Sequence, residues 1–278
     1  MAQAWNLYFE HQDGVAPTPT TDDAAEVRPR PSAAPDGWLD GSGPAIAWEN
    51  WPRSAATGLP MHHVLSLRLP VEYQRKGPGF PGIAFYAGDG QFAGDQPAVV
   101  AEAGSEDAFL ADLANAVPHP QFQLRKDILG GSFGLIWLTE EELAGGPIAP
   151  KADLRAEGEH QDWSEGTNAW ANKHPLAHIW LIPREDPNAG LVPQDLFSGD
   201  EPVGKFTNPW TEDDTLHPWA EAAFGVSHLG GTSFPVQELP EGLTAFYLEL
   251  EEMGGLNFGG DGSAQIDLQS DTFDWACG

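Results

Sequence analysis

Apolar and polar residues alternate in several short segments of the chain, and this period of two is the pattern of strands with one buried face. In the clearest example, Leu65, Leu67 and Leu69 alternate with Ser66 and Arg68. Other segments are short apolar runs bounded by Gly or Pro, which are typical of interior strands. The segments predicted as strands are residues 65–69, 82–87, 133–138, 177–182, 246–250 and 264–268.

Helical patterns are fewer and shorter. Ser105 is a candidate N-cap for a helix over residues 106–117, in which apolar residues fall on one face. Thr139 and Glu142 have the spacing of a capping box, which predicts a very short helix ended by the glycines at 145–146. With 32 Gly and 25 Pro the chain also needs many turns. These patterns predict a strand-dominated α+β fold.

The first 45 residues differ in composition from the rest. Residues 1–12 form an apolar segment, which either docks on the main body as a strand or serves as a recognition segment for another chain. Residues 13–45 are a linker rich in Pro and Ala that we expect to be extended or disordered, because they bury too little apolar surface to offset their conformational entropy. The main domain then spans 46–278. Short repeated words suggest two similar sheet-containing halves, although two registers compete.

Charge narrows the classes of partner. The chain carries 13 basic and 42 acidic residues, a formal net charge of −29, and 41% of its residues are hydrophobic. Such a surface repels phosphates, which argues against nucleic acid and anionic membranes as partners. No Lys or Arg follows Lys205, so the C-terminal region has an unrelieved negative field. A basic protein partner is favoured instead.

Cysteine usage and the termini indicate a cytoplasmic location. Cys277 is the only cysteine, so an intramolecular disulfide is excluded. The N-terminal segment has neither a basic n-region nor a long apolar core, and no apolar run approaches the roughly 18 residues of a membrane span.

Several short sequence motifs, in their order along the chain, resemble those of the YwqG-like family of bacterial proteins. They are Trp51-Pro52-Arg53, Gly58-Leu59-Pro60, Leu229-Gly230-Gly231, Gln237 and the glycine-rich residues 254–262. The resemblance implies a compact, mainly sheet-containing α+β domain in bacterial cytoplasm, without established catalytic residues. It also implies an immunity or partner-binding role, since such proteins are often met beside toxin genes. Residues 145–218 show little of this resemblance.

Histidines in the middle of the chain are candidate metal ligands. Four are close in sequence and have Asp162 among them: His160, His174, His178 and His217. Neither a His-Glu-x-x-His word nor a cysteine pair accompanies them, so ordinary core and surface histidines are the favoured interpretation. The glycine loop at 259–262 lacks the Lys of a phosphate-binding loop and is interpreted as a tight turn between strands.

Tryptophans crowd the same region, and the chain has 11 of them. Core packing accounts for Trp137 and Trp180, which lie within apolar runs. Tryptophan beside acidic and amide groups is also a frequent anchor at protein interfaces. The candidate residues for contact with a partner or ligand are Trp163, Trp170, Trp210, Trp219, Glu212, Asp213 and Asp214.

These observations favour a non-catalytic acidic binding protein without a cofactor. Its most concrete form is an immunity-type protein that binds and neutralises a basic toxin domain. The alternative is a metal-dependent or carbohydrate-active enzyme that uses the region rich in His and Trp.

Overall fold

The computed structural model describes residues 2–18, 27–39, 42–88, 100–127, 130–152, 154, 176–196, 199–253, 256 and 258–278. Its strands are β1 (Ala4–His11), β2 (Gly14–Ala16), β3 (Gly37–Leu39), β4 (His62–Arg68), β5 (Gly82–Ala87), β6 (Phe122–Lys126), β7 (Ser132–Leu138), β8 (Ala177–Arg184), β9 (His228–Leu229), β10 (Tyr247–Glu251), β11 (Ser263–Asp267) and β12 (Phe273–Ala276). They form a 12-stranded sheet in the order β12-β11-β10-β9-β1-β8-β3-β4-β5-β7-β6, with β2 paired to β1. The predicted strand-dominated fold is confirmed.

The helices among the described residues are short. They are α1 (Ala108–Ala114), α2 (Glu140–Ala144) and α3 (Pro218–Glu221), with 3-10 turns at Trp48–Asn50 and Val71–Tyr73. Thr139 and Glu142 form the predicted capping box of α2. The predicted cap of α1 is wrong, because Asp107 accepts the Phe109 and Leu110 N–H groups. Ser105 instead accepts the N–H of Asp107, one turn before the helix begins.

The N-terminal segment lies in the middle of the sheet. β1 pairs with β8 on one side and β9 on the other, so it joins β9–β12 to the strands on the β8 side of the sheet. Two parts of the predicted linker are also strands: β2 pairs with β1, and β3 lies between β8 and β4. The domain boundary drawn at residue 46 therefore passes through a single sheet.

One face of the sheet is apolar and encloses the main core. A row of cross-strand partners runs over it from β1 to β12: Trp5, Leu229, Leu248, Ile266 and Phe273. Leu67, Phe85 and Leu135 add to the same buried cluster from the other end of the sheet. Each large apolar side chain that is fully buried stabilises the fold by about 1.5–3 kcal/mol.

The two edges of the sheet come together around Arg125 of β6, so the antiparallel sheet is nearly closed. Its guanidinium is buried, pairs with Asp271 at 2.9 Å, and donates to the Ser270 carbonyl at 3.1 Å. Trp275 of β12 donates its indole N–H to Asp127, just after β6. Inside this seam the rings of Phe133 and Phe273 lie 4.9 Å apart.

A smaller core covers the opposite face of β3, β5 and β7 beneath α2. Trp51 and Tyr86 meet edge to face at 5.5 Å, and Leu143 of α2 joins the same cluster. The indole N–H of Trp51 donates to the Met61 carbonyl at 2.8 Å, which satisfies this buried polar atom.

The glycine loop forms the turn between β10 and β11. Gly259 and Gly260 have φ values of 87° and 96°, a region that favours glycine. This confirms the interpretation of the loop as a turn. The Gly260 N–H donates to the Glu252 carboxylate at 3.0 Å.

The Arg125→Met variant tests whether the seam holds the sheet together. It leaves the carbonyls of Ser270 and Asp267 without their buried donor, so we expect the free energy of unfolding to fall by about 2–4 kcal/mol. In a chain of this size that lowers Tm by roughly 4–16 °C, which differential scanning calorimetry would measure.

Arg75→Met is the matched control. Arg75 is exposed, and its guanidinium bonds Gln269 at 2.7 Å near the same hairpin. We expect its loss to change stability by less than about 1 kcal/mol, as for other exposed pairs. Equal losses in the two variants would contradict a special role for the seam.

Candidate functional site

Several of the residues predicted to contact a partner lie on one surface element, residues 209–225, here called the acidic loop. Trp210 and Leu216 form an isolated antiparallel bridge. Inside it, the Thr211 N–H donates to the Thr215 carbonyl at 2.7 Å. These bonds close a tight turn whose tip carries the predicted acidic residues.

The tip of the acidic loop is exposed and uniformly negative. Glu212, Asp213 and Asp214 are all exposed, and Glu221 of α3 is exposed a short distance along the chain. Asp214 has a φ of 57°, a left-handed conformation that Asp tolerates better than most residues. Lys205 is the last basic residue of the sequence, so later residues bring no cation to this surface.

Aromatic side chains flank the acidic tip. The half-buried Trp210 donates its indole N–H to the Leu196 carbonyl at 3.0 Å. His217 stacks on Trp219, with ring centroids 5.8 Å apart and planes inclined by 13°. Phe224 leaves 57% of its surface exposed. The loop thus presents large apolar groups between carboxylates, as protein interfaces often do.

A row of polar residues lies on the sheet face opposite the main core, and its Asn6 end contacts the acidic loop. Successive members are cross-strand partners from β1 to β12: Asn6, His228, Glu249, Gln265 and Asp274. Each alternates along its strand with a member of the apolar row, because neighbouring residues in a strand point to opposite faces. Asn6 joins the row to the loop, since its Nδ2 donates to the Ala222 carbonyl at 2.6 Å.

Glu249 is the centre of this row and is fully buried. It accepts a hydrogen bond from the Ser233 hydroxyl, one from the Phe234 N–H at 3.2 Å and one from the Gln265 amide at 3.2 Å. His228 Nδ1 lies 3.9 Å from Oε1 of the Glu249 carboxylate. Such partners make burial of a carboxylate tolerable.

His228 is a neutral partner of that carboxylate. Burial lowers the pKa of its ring more than the nearby Glu249 raises it. Its Nδ1 lies 2.8 Å from the Val226 carbonyl, so we assign the single proton of the ring to Nδ1. Because Ser233 donates directly to Glu249, the histidine does not stand between them as the base of a serine nucleophile would. The geometry is that of a buried scaffold.

Glu251, the next residue on the same face of β10, is less well supplied with partners. Burial and, secondarily, the negative charge of Glu249 raise its pKa to about 7. Two carboxyl groups that share a face of one strand repel each other when both are ionised. Glu251 is therefore partly protonated near neutral pH.

An ion pair holds the chain that follows β9. Arg184 pairs with Asp186 and donates to the Gly230 carbonyl at 3.1 Å. Asp186 also accepts the Thr232 N–H at 2.8 Å. Gly231 has a φ of 89°, and a Cβ there would lie 2.4 Å from the Asp186 carboxylate. This contact is a physical reason for a Leu-Gly-Gly word at this position.

The candidate metal ligands are separated where they are described. His178 bonds Glu10 through Nδ1 at 2.7 Å, whereas His217 lies in the acidic loop and stacks on Trp219. Burial raises the pKa of Glu10. The hydrogen bonds from the His178 ring and backbone N–H, together with the nearby charges of His178 and Arg30, outweigh burial and hold that pKa below its usual range. Within the described ranges there is no group of three or more His, Cys, Asp or Glu able to hold a metal ion. The remaining candidates lie outside those ranges: His160, Asp162 and His174.

The predicted tryptophans divide in the same way. Trp137 is fully buried and Trp180 is 6% exposed, which confirms their assignment to cores. Trp210 and Trp219 lie on the acidic loop. Trp163 and Trp170 fall outside the described residues.

Sequence reasoning did not single out Asn6, Arg184, His228 or Glu249 as a group. The signal in the sequence that could have indicated this group is the alternation in β10. Glu249 lies between Leu248 and Leu250 and therefore points to the other face of the sheet, which is also buried at this position. Their meeting depends on the pairing of β1 with β8 and β9, which brings together residues more than 200 positions apart, such as Asn6 and His228.

Comparison with protein-family models, with curated proteins and with solved structures found no match to this chain. Among the described residues, each helix falls short of the length and apolar character needed to cross a bilayer.

The raised pKa of Glu251 predicts a pH-dependent loss of stability. Its folded pKa of about 7 exceeds the ordinary value of 4.5, so the folded state holds the proton more tightly than the unfolded chain. Ionising Glu251 therefore destabilises the fold progressively from about pH 4.5 to about pH 7. We expect Glu251→Gln to raise Tm at about pH 8 and to lessen the fall in Tm between about pH 5 and pH 8.

Glu241→Gln is the control, because Glu241 is exposed and its substitution removes the same charge. Thermal unfolding followed by circular dichroism across this pH range would compare the variants. A Tm difference between wild type and Glu251→Gln that stays constant with pH would contradict the raised pKa of Glu251 as the cause of the pH dependence.

Proposed function

We propose that this chain is a non-catalytic acidic binding protein that docks a basic protein domain on the acidic loop, as an immunity protein does with a toxin. The observation that carries the proposal is the juxtaposition on one loop of three aromatic side chains with four exposed carboxylates. The aromatic residues are Trp210, Trp219 and Phe224, and the acidic ones are Glu212, Asp213, Asp214 and Glu221.

The two kinds of residue have different roles in this proposal. Exposed carboxylates accelerate the encounter with a basic partner through the long-range field. Aromatic side chains supply the affinity once water is excluded, since Trp is among the residues that dominate interface energies. The bridge at Trp210 and the bond from Asn6 to Ala222 hold the loop in place, which lowers the entropic cost of binding.

Membership of the YwqG-like family and a cytoplasmic location are part of the same proposal. The resemblance rests on short motifs such as Leu229-Gly230-Gly231. The ion pair of Arg184 and Asp186, which packs against this motif, gives a structural reason for its glycines. The chain's net charge of −29 supports a basic protein partner over nucleic acid.

The test uses the products of genes adjacent to this one, purified and passed over the immobilised protein by surface plasmon resonance. We expect one basic product to bind and its association rate to fall steeply as salt rises toward about half molar. The triple variant Glu212→Gln, Asp213→Asn, Asp214→Asn should slow association about tenfold, while Trp219→Ala should mainly speed dissociation.

The matched control neutralises three exposed acidic residues elsewhere, Glu102, Glu106 and Glu241, and so changes net charge equally. It should leave association within about twofold of the wild-type rate. Binding that is insensitive to salt, or equally slowed by both triple variants, would overturn docking on the acidic loop. Failure of every adjacent product to bind would overturn the immunity-type role.

A further inference from the structure

Apolar residues continue from the acidic loop onto a neighbouring segment, residues 234–236, here called the apolar strip. Phe224 of the loop, with 57% of its surface exposed, meets Phe234 edge to face, and their ring centroids lie 5.4 Å apart. Pro235 and Val236 follow directly, and both are half-buried. Single exposed apolar residues are ordinary on a protein surface, whereas contiguous ones mark sites of interaction. The contact between the two phenylalanines makes these four residues one surface.

The apolar strip is anchored to the sheet at both of its ends. The Phe234 N–H donates to the buried Glu249 carboxylate at 3.2 Å. Gln237, just after the strip, donates its side-chain amide N–H to the Cys277 carbonyl at 2.8 Å. These bonds fix the backbone of the strip while its side chains stay partly in water. A partner that covers the strip therefore has little of the chain left to order.

Carboxylates border this surface. Glu221 precedes Phe224 in the loop and Glu238 follows the strip, and both are exposed. Burial, and after it the charges of Glu238 and Asp200, raise the pKa of Asp195. From residue 206 onward the sequence contains neither Lys nor Arg. A second copy of this chain, with the same net charge of −29, would be repelled, whereas a cationic partner is attracted.

The sheet beside this surface offers no edge to which a partner could add a strand. Strand addition needs an unpaired sheet edge, and β9, which leads into the apolar strip, pairs with β1 on one side and with β10 on the other. Recognition at the strip therefore depends on side chains. An amphipathic helix presents apolar side chains on one face and basic ones beside them, which matches an apolar surface bordered by carboxylates.

We propose that Phe224 and the apolar strip form the docking surface for a basic amphipathic helix of the protein partner. The apolar face of that helix covers Phe224, Phe234 and Val236. Its Lys or Arg side chains lie over Glu221 and Glu238. This inference rests on the proposed function, since it specifies the element by which a basic partner is recognised. It adds a surface outside the acidic loop and a secondary structure for the partner.

Two synthetic helical peptides test this proposal. The probe is a peptide of about 14 residues in which Leu and Lys repeat with the helical period, so that the leucines share one face. The control peptide has Ala at every Leu position, which keeps the charge and the helix propensity but removes the large apolar face. We expect isothermal titration calorimetry at about 0.15 M salt to show binding of the leucine peptide at least about tenfold tighter than that of the alanine peptide.

Phe224→Ala and Trp48→Ala form a matched pair of variants. Trp48 is 54% exposed and lies beside the acidic Glu49 in the 3-10 turn before β4, so each substitution removes one exposed aromatic ring. We expect Phe224→Ala and Val236→Ser each to weaken binding of the leucine peptide at least about fivefold, and Trp48→Ala to leave it within about twofold. Backbone NMR shifts caused by the peptide should centre on residues 224 and 234–238. Circular dichroism would check that each variant keeps the fold.

Equal affinity for the two peptides would overturn the proposal, as would equal losses in Phe224→Ala and Trp48→Ala. NMR shifts that avoid residues 224 and 234–238 would overturn it as well.

These outcomes are distinguishable from failure of the proposed function. If the leucine peptide binds as expected and no product of an adjacent gene does, the docking surface is supported and the immunity-type role is overturned. If such a product binds at the acidic loop and Val236→Ser leaves its affinity unchanged, docking at the loop is supported and the helix at the apolar strip is overturned.

Discussion

Burial of the apolar face depends on bringing the two edges of the sheet together. An open sheet of this length would leave Phe133 and Phe273 in water, whereas the seam around Arg125 places them 4.9 Å apart inside the core. Closure also limits the exposed strand edges on which other chains could pair. A buried guanidinium serves here because it donates at once to acceptors at the end of β11 and in the turn that follows it, including a carboxylate that remains in water.

The opposite face of the same strands carries the row of polar residues that runs from Asn6 to Asp274. There the alternation of residues along each strand places polar residues side by side. The fold tolerates burial of the Glu249 carboxylate because four neighbouring groups face it. The row holds the chain from Ser227 to Phe234 and, through Asn6, the acidic loop. A rigid support beneath a charged surface suits recognition of a partner, since little order has to be gained on binding.

Strands with clear alternation could be predicted from the sequence, as for Leu65, Leu67 and Leu69 in and beside β4. The error at Ser105 has a local cause: Asp107 and Ser105 are both good caps, and the negative Asp107 lies closer to the first helical N–H groups. The short strands β2 and β3 lie in a Pro-rich segment with little apolar surface. Backbone hydrogen bonds to β1, β4 and β8 compensate for the small apolar surface of β2 and β3. The residues of this segment contain no pattern from which those pairing partners could be predicted.

The sequence by itself determined the strand-dominated class, the acidic surface and the aromatic residues of the acidic loop, because alternation, charge and local spacing are properties of neighbouring residues. Only the tertiary structure decided that β1 lies at the centre of the sheet and that Asn6 bonds Ala222 of the acidic loop. These contacts join positions far apart in the chain, and their formation depends on the register of every strand between them. A shift of one residue in β1 would exchange Asn6 for its apolar neighbours and remove both the polar row and its bond to the acidic loop.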